Sequence, residues 1–93
     1  MISVVYTPKF VRQYKKLNSL IKEEIKQRIV LFKKDSNNPR LKVHKLHGDL
    51  ADSWSFSIDY KYRIVFKYMS RNEVILLAKA SPDSGLVMRT HYS

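Results

Sequence analysis

Cysteine is absent from the 93-residue sequence. This excludes disulfide staples and thiolate metal sites and fits a reducing compartment. Glycine occurs only twice, so a glycine-rich phosphate loop cannot be built. Acidic residues number eight, and no two have the spacing of a carboxylate pair for acid–base work. No Ser-His-Asp order stands out. No run approaches the ~20 apolar residues of a membrane helix. The start, MISVVYTPKF, has neither a long apolar core nor a small-residue cleavage site of a signal peptide. The expected location is the cytoplasm, with no membrane partner. Repeats, linkers and low-complexity tracts are also missing.

Basic and apolar residues fill the space. Eighteen Lys and Arg give a formal net charge of +10, and 44% of the residues are hydrophobic. The apolar fraction is enough for one folded domain with a thin core, here spanning 1–93. The charge attracts polyanions over long range, which favours a nucleic acid, an acidic protein, or both in turn.

Local patterns order the chain. ISVVY (2–6) is a short β-branched strand. Thr7-Pro8 is a helix start, with an oxygen cap followed by proline at the first helical position. Phe10, Tyr14 and Leu17 repeat at helical spacing. After a break at Asn18-Ser19, Ile21, Ile25, Ile29 and Phe32 form a second stripe. The polar cluster KKDSNNP ends this helix. LKVHKL (41–46) is a weak strand and HGDLADS (47–53) a loop. Trp54, Phe56 and Ile58, then Tyr62, Ile64 and Phe66, mark one face of a hairpin. VILLA (74–78) is a buried central strand, and SPDSG then offers a turn before a possible short strand at 86–88. The order predicts an α+β fold: two N-terminal helices on one face of a mainly antiparallel sheet of four to five strands.

That fold assigns faces. The hairpin aromatics lie under the helices. Ser55, Ser57, Arg63 and Lys67 look the other way, onto a face expected to be open. Arg63 is the strongest chemical candidate, because a guanidinium grips phosphate bidentately. The bland reading is a salt bridge to Asp59 or Asp49. His44 and His47 flank Lys45-Leu46 and can move protons near neutral pH. Each is otherwise an ordinary solvated residue. No third ligand stands near them, so neither metal nor cofactor is expected. His44 and Lys45 alternate and should point to opposite faces. His91-Tyr92, at the chain end, could serve proton transfer or base stacking, or simply fray.

VVYTPKFVRQYKKL, KVHKLHGDLADSWSFSIDYKYRIVF and VILLA together resemble the RelE/ParE superfamily of bacterial toxins, most like the RelE branch with its YafQ- and YoeB-like members. The resemblance spans residues 2–79. It implies a ribosome-dependent endoribonuclease that cuts messenger RNA without a metal, and a cognate antitoxin that forms a hetero-oligomer with it. It also implies roles. Arg63 matches the strand arginine at the scissile phosphate. Lys45 and His47 lie in the segment where related toxins carry basic or imidazole groups. Lys67, Ser55, Ser57 and Tyr92 would contact RNA, and His91 or His47 would transfer protons. Trp54 matches a family aromatic, although its parity puts it in the core. The end departs from the pattern: residues 79–83 hold no histidine, and His91 arrives late. The alternatives are a gyrase poison of the ParE kind and an impaired toxin that still binds its antitoxin.

Overall fold

The structure is a computed structural model and describes residues 1–48, 52–59 and 61–80. Strand β1 (Ser3–Tyr6) leads into helices α1 (Pro8–Lys15) and α2 (Ser19–Lys34). A 3-10 turn (Pro39–Leu41) and the two-residue β2 (His44–Lys45) follow. Then come β3 (Trp54–Ser57), β4 (Arg63–Ser70) and β5 (Glu73–Ala80). They form one five-stranded sheet in the order β1-β5-β4-β3-β2. β1 runs parallel to β5, and the other pairs are antiparallel. The fold is the expected α+β arrangement, with a mixed sheet because β1 joins β5 in parallel. The possible strand at 86–88 lies outside the described residues.

Helix α1 starts at the cap the sequence indicated, and α2 starts at the Asn18-Ser19 break, where Asn18 acts as a cap not foreseen from the sequence. Thr7 Oγ1 accepts from Phe10 N at 3.1 Å, and Pro8 occupies the first helical position. Asn18 Oδ1 accepts from Ile21 N at 3.0 Å, so the Asn18-Ser19 break is the start of α2. Each such cap satisfies one orphan amide and contributes about 1 kcal/mol.

The main core lies between α2 and the sheet. Ile25, Ile29 and Phe32 of α2 are buried against Phe56, Ile58, Ile64, Phe66, Val74 and Leu76. Phe32 stacks on Phe56, with ring centroids 4.8 Å apart, and meets Phe66 edge-on at 5.0 Å. Trp54 and Tyr62 pack on the same cluster, half-buried. Every aromatic or aliphatic residue assigned to the helix-facing side of the hairpin is there.

The other face departs from expectation. Ser55 is fully buried, Ser57 and Arg63 are 7% and 8% exposed, and Val65 is buried as well. A small second cluster of Leu46, Val65 and Ala80, flanked by Leu77, occupies this side. The Arg63 side chain is therefore largely covered, while Lys67, farther along β4, is solvent-exposed.

A β-bulge builds that second cluster. Val65 stands opposite Ala78 but Phe66 stands opposite Leu76, so Leu77 is the extra residue. An inserted residue shifts the period-two alternation by one. Val74 and Leu76 thus face the helices, while Ala78 and Ala80 share the face of Val65 and Arg63. α1 covers the irregular edge. Thr7 Oγ1 donates to the carbonyls of Leu76 (2.9 Å) and Leu77 (3.2 Å), and Lys79 N donates to Gln13 Oε1 at 2.8 Å. β1 ends opposite Leu76, so these side chains continue its role as partner to the β5 backbone.

Candidate functional site

Arg63 opens β4 between two small neighbours, Ser57 on β3 and Ala80 on β5. Small flanks let its long side chain lie along the sheet rather than stand up from it. Its Nε donates to Ser55 Oγ at 2.8 Å. Its Nη2 donates to the Lys42 carbonyl at 2.6 Å and, less closely, to the Ser55 carbonyl at 3.4 Å. These contacts offset the desolvation that a buried cation would otherwise suffer. They also fix the plane of the guanidinium. The Lys42 carbonyl is aimed there because Lys42 closes the 3-10 turn in the left-handed region, at φ 48° and ψ 55°. That conformation costs a non-glycine residue about 1 kcal/mol or more and marks an imposed geometry.

Asp59 does not serve Arg63. Its Oδ1 accepts from Lys61 N at 2.7 Å and Tyr62 N at 2.8 Å, which shapes the β3–β4 turn. Ser57 Oγ donates to the Asp59 carbonyl at 2.8 Å and belongs to the same turn. Asp49 lies outside the described residues.

The short strand β2 sorts the histidines and lysines. His44 is directly opposite Ser55, and Lys45 is opposite Trp54. Cross-strand partners share a face, so His44 lies on the Arg63 side and Lys45 on the helix side, as their alternation predicted. Lys45, which the resemblance put among the catalytic candidates, thus stands across the sheet from Arg63. Leu46, next along, turns into the second cluster while its amide bonds to the Ser53 carbonyl at 2.9 Å. His47 is exposed just beyond β2. Lys67 shares the Arg63 face four residues along β4, roughly 13 Å away at strand rise. Ser55 is present, but as the arginine's anchor rather than as an exposed contact. His91 and Tyr92 lie outside the described residues.

The structure thus adds the Lys42 carbonyl to the surroundings of Arg63 and puts His44, already a candidate from the sequence, on the same face. The backbone carbonyl carried no sequence signal. His44 was legible from its parity with Ser55, once the β2–β3 register was known. Among the described residues, no group of three His, Cys, Asp or Glu side chains could hold a metal, and no helix is long and apolar enough to cross a membrane.

This helical pair on a five-stranded mixed sheet is the fold of RelE-like bacterial toxins. The likeness is to solved structures at low sequence identity. The YoeB/ParE toxin of Agrobacterium tumefaciens superposes with a TM-score of 0.69 at 21% identity, covering 86% of this chain and 98% of that one. YafQ from E. coli strain BL21(DE3) gives 0.74 at 11% identity, over 92% and 99%. The intact E. coli RelBE toxin–antitoxin complex gives 0.65 at 13% identity, over 87% and 96% of the matched chains. No family model and no curated protein matches the sequence.

Proposed function

We propose that this protein is the toxin of a type II toxin–antitoxin module and acts as a metal-independent endoribonuclease on messenger RNA at the ribosome. The observation that carries the reading is Arg63, a guanidinium held in one orientation by Ser55 and the Lys42 carbonyl at the head of a sheet strand. Preorganised positive charge is what phosphoryl transfer needs most, because negative charge builds on the non-bridging oxygens during attack.

In the proposed reaction the ribose 2′-oxygen attacks the adjacent phosphorus. The P–O5′ bond breaks, leaving a 2′,3′-cyclic phosphate and a 5′-hydroxyl. Attack releases the 2′-hydroxyl proton to a base, and the departing 5′-oxygen takes one from an acid. Arg63 stabilises the phosphoryl charge. His44, on the same face, and His47, just beyond β2, are the imidazoles among the described residues that suit proton transfer. Lys67 extends the positive surface along the strand. His91 and Tyr92 are further candidates from the sequence. The antitoxin is expected to be acidic, matching the net charge of +10. The solved YoeB–YefM complex of Staphylococcus aureus and the RelBE complex are paired in this way, toxin with antitoxin.

Cell-free translation with toe-printing of the message tests the reading. Cuts within ribosome-occupied codons, lost on Arg63→Ala, are expected. DNA breaks through gyrase with intact messages would overturn it in favour of a ParE-like poison. Stable antitoxin binding with no cleavage of any message would leave an impaired toxin.

A further inference from the structure

Behind the loop that follows α2 lies a groove of about 410 Å³, lined by Ser36, Asn37, Asn38, Lys42, Val43, Trp54 and Tyr68 among others. Its aromatic wall is a perpendicular pair. The Trp54 and Tyr68 rings meet at 88° with centroids 5.5 Å apart. Tyr68 is 41% exposed, unusual for an aromatic next to a core. The opposite wall is polar, carrying an exposed Asn37, the Ser36 hydroxyl and the Lys42 side of the turn. Asn38 is committed elsewhere: its Oδ1 accepts from Arg40 N and its Nδ2 donates to Asp35.

The groove is joined to the arginine. Lys42 lines it, and the carbonyl of the same residue accepts from Arg63 Nη2 at 2.6 Å. The sheet edge between them is only the two-residue β2, short enough for a single strand of nucleic acid to cross. A π-face, hydrogen-bonding amide and hydroxyl groups and a cation in one cleft, across the two-residue sheet edge from the Arg63 guanidinium, fit an unstacked base.

We propose that the Trp54–Tyr68 groove binds a nucleobase of single-stranded RNA within a few nucleotides of the phosphate held by Arg63. This rests on the RNA-handling reading above, and it adds a base subsite to it. The base stacks on the aromatic wall, and Asn37 and Ser36 meet its polar edge. The Lys42 ammonium approaches the neighbouring phosphate. Selectivity among bases therefore resides partly in the loop after α2.

Trp54 is the single tryptophan of the chain, so its fluorescence reports directly on the groove. The probe is a short 2′-O-methyl oligoribonucleotide, which cannot be cleaved through its 2′-oxygen, added to the full-length protein. Saturable quenching is expected. Tyr68→Ala should weaken the affinity roughly tenfold, as loss of one stacking partner commonly does. Lys42→Ala, which keeps the carbonyl, should weaken it less. An oligonucleotide with a single abasic position, placed in turn along the strand, should lose quenching at one or two positions only. Circular dichroism melts of each variant separate lost binding from lost folding. Arg63→Ala should abolish cleavage and weaken overall affinity but leave the abasic positions that lose quenching unchanged, so the groove and the cleavage reading fail independently. The proposal is overturned if the oligonucleotide binds by anisotropy without quenching Trp54. Equal quenching by every abasic probe overturns it, and so does unchanged affinity in a folded Tyr68→Ala variant. Failure of any single-stranded RNA to bind at low salt also overturns it, pointing to a protein side chain as occupant.

Discussion

Arg63 and Ser55, eight residues apart in sequence and diagonal neighbours on adjacent strands, are joined by a 2.8 Å hydrogen bond from Nε to Oγ. The bond makes the arginine part of the sheet. A freely solvated arginine samples many rotamers, whereas this one is held before any ligand arrives, and preorganisation lowers the cost of binding a charged group.

Arg63→Ala should reduce cleavage by about 100-fold or more, the usual loss for one charge-stabilising contact. Arg63→Lys should recover little, because an ammonium cannot reproduce the planar fork that meets both Ser55 and Lys42. Ser55→Ala should lower kcat more than it raises KM, since it loosens the guanidinium without removing it. Single-turnover kinetics on ribosome-bound message, with melting curves in parallel, measure both. A Ser55→Ala enzyme with unchanged kcat would show that the anchor does not matter to the chemistry.

Lys42 contributes to Arg63 through its backbone alone, from a left-handed conformation that glycine adopts without strain. Lys42→Gly should therefore leave Arg63 in place, keep kcat while weakening RNA affinity, and raise stability by up to about 1 kcal/mol. Urea denaturation checks the stability. A large drop in stability would mean that the lysine side chain, not the turn geometry, holds this corner.

Thr7 caps α1 and also donates to the carbonyls of Leu76 and Leu77 at the bulge. Thr7→Val keeps the shape and removes all three contacts. The expected destabilisation is about 2 kcal/mol, at the upper end for a cap because the part-buried Leu77 carbonyl also loses this donor, while the Leu76 carbonyl keeps the Thr7 amide at 3.2 Å. Gln13→Ala, which frees Lys79 N, should cost about 1 kcal/mol. Hydrogen exchange at Lys79 should rise in that variant and not in Thr7→Val.

Burial raises the pKa of Tyr68 above the ordinary tyrosine value of about 10. The charged phenolate is disfavoured in the fold relative to the unfolded chain. Stability should hold below pH 10 and fall as pH rises through the folded-state value. Tyr68→Phe should flatten that alkaline decline. Ultraviolet titration of wild type against Tyr68→Phe reads the ionisation directly. A phenol in the variant difference spectrum that ionises at or below pH 10 would contradict the burial.

The helical stripes, the Thr7-Pro8 cap and the hairpin aromatics under the helices were legible in the residue order. Each depends on periodicity or on capping chemistry, which act over a few residues and leave their mark on neighbours. Three features were decided only by the tertiary structure. The Leu77 bulge inverts the parity of β5, so Ala78 and Ala80 line the arginine's face although the unbroken run VILLA gives no hint of a switch. Ser55 and Arg63 are buried on that face rather than displayed. Lys42 and His44, 21 and 19 residues before Arg63 in the numbering, come to its side through the turn geometry and strand register. Alternation tells which way a side chain points from its own strand. It does not tell which strands pair, where an extra residue slips the register, or what backbone carbonyl waits across the gap, because those are set by long-range contacts that no local window contains.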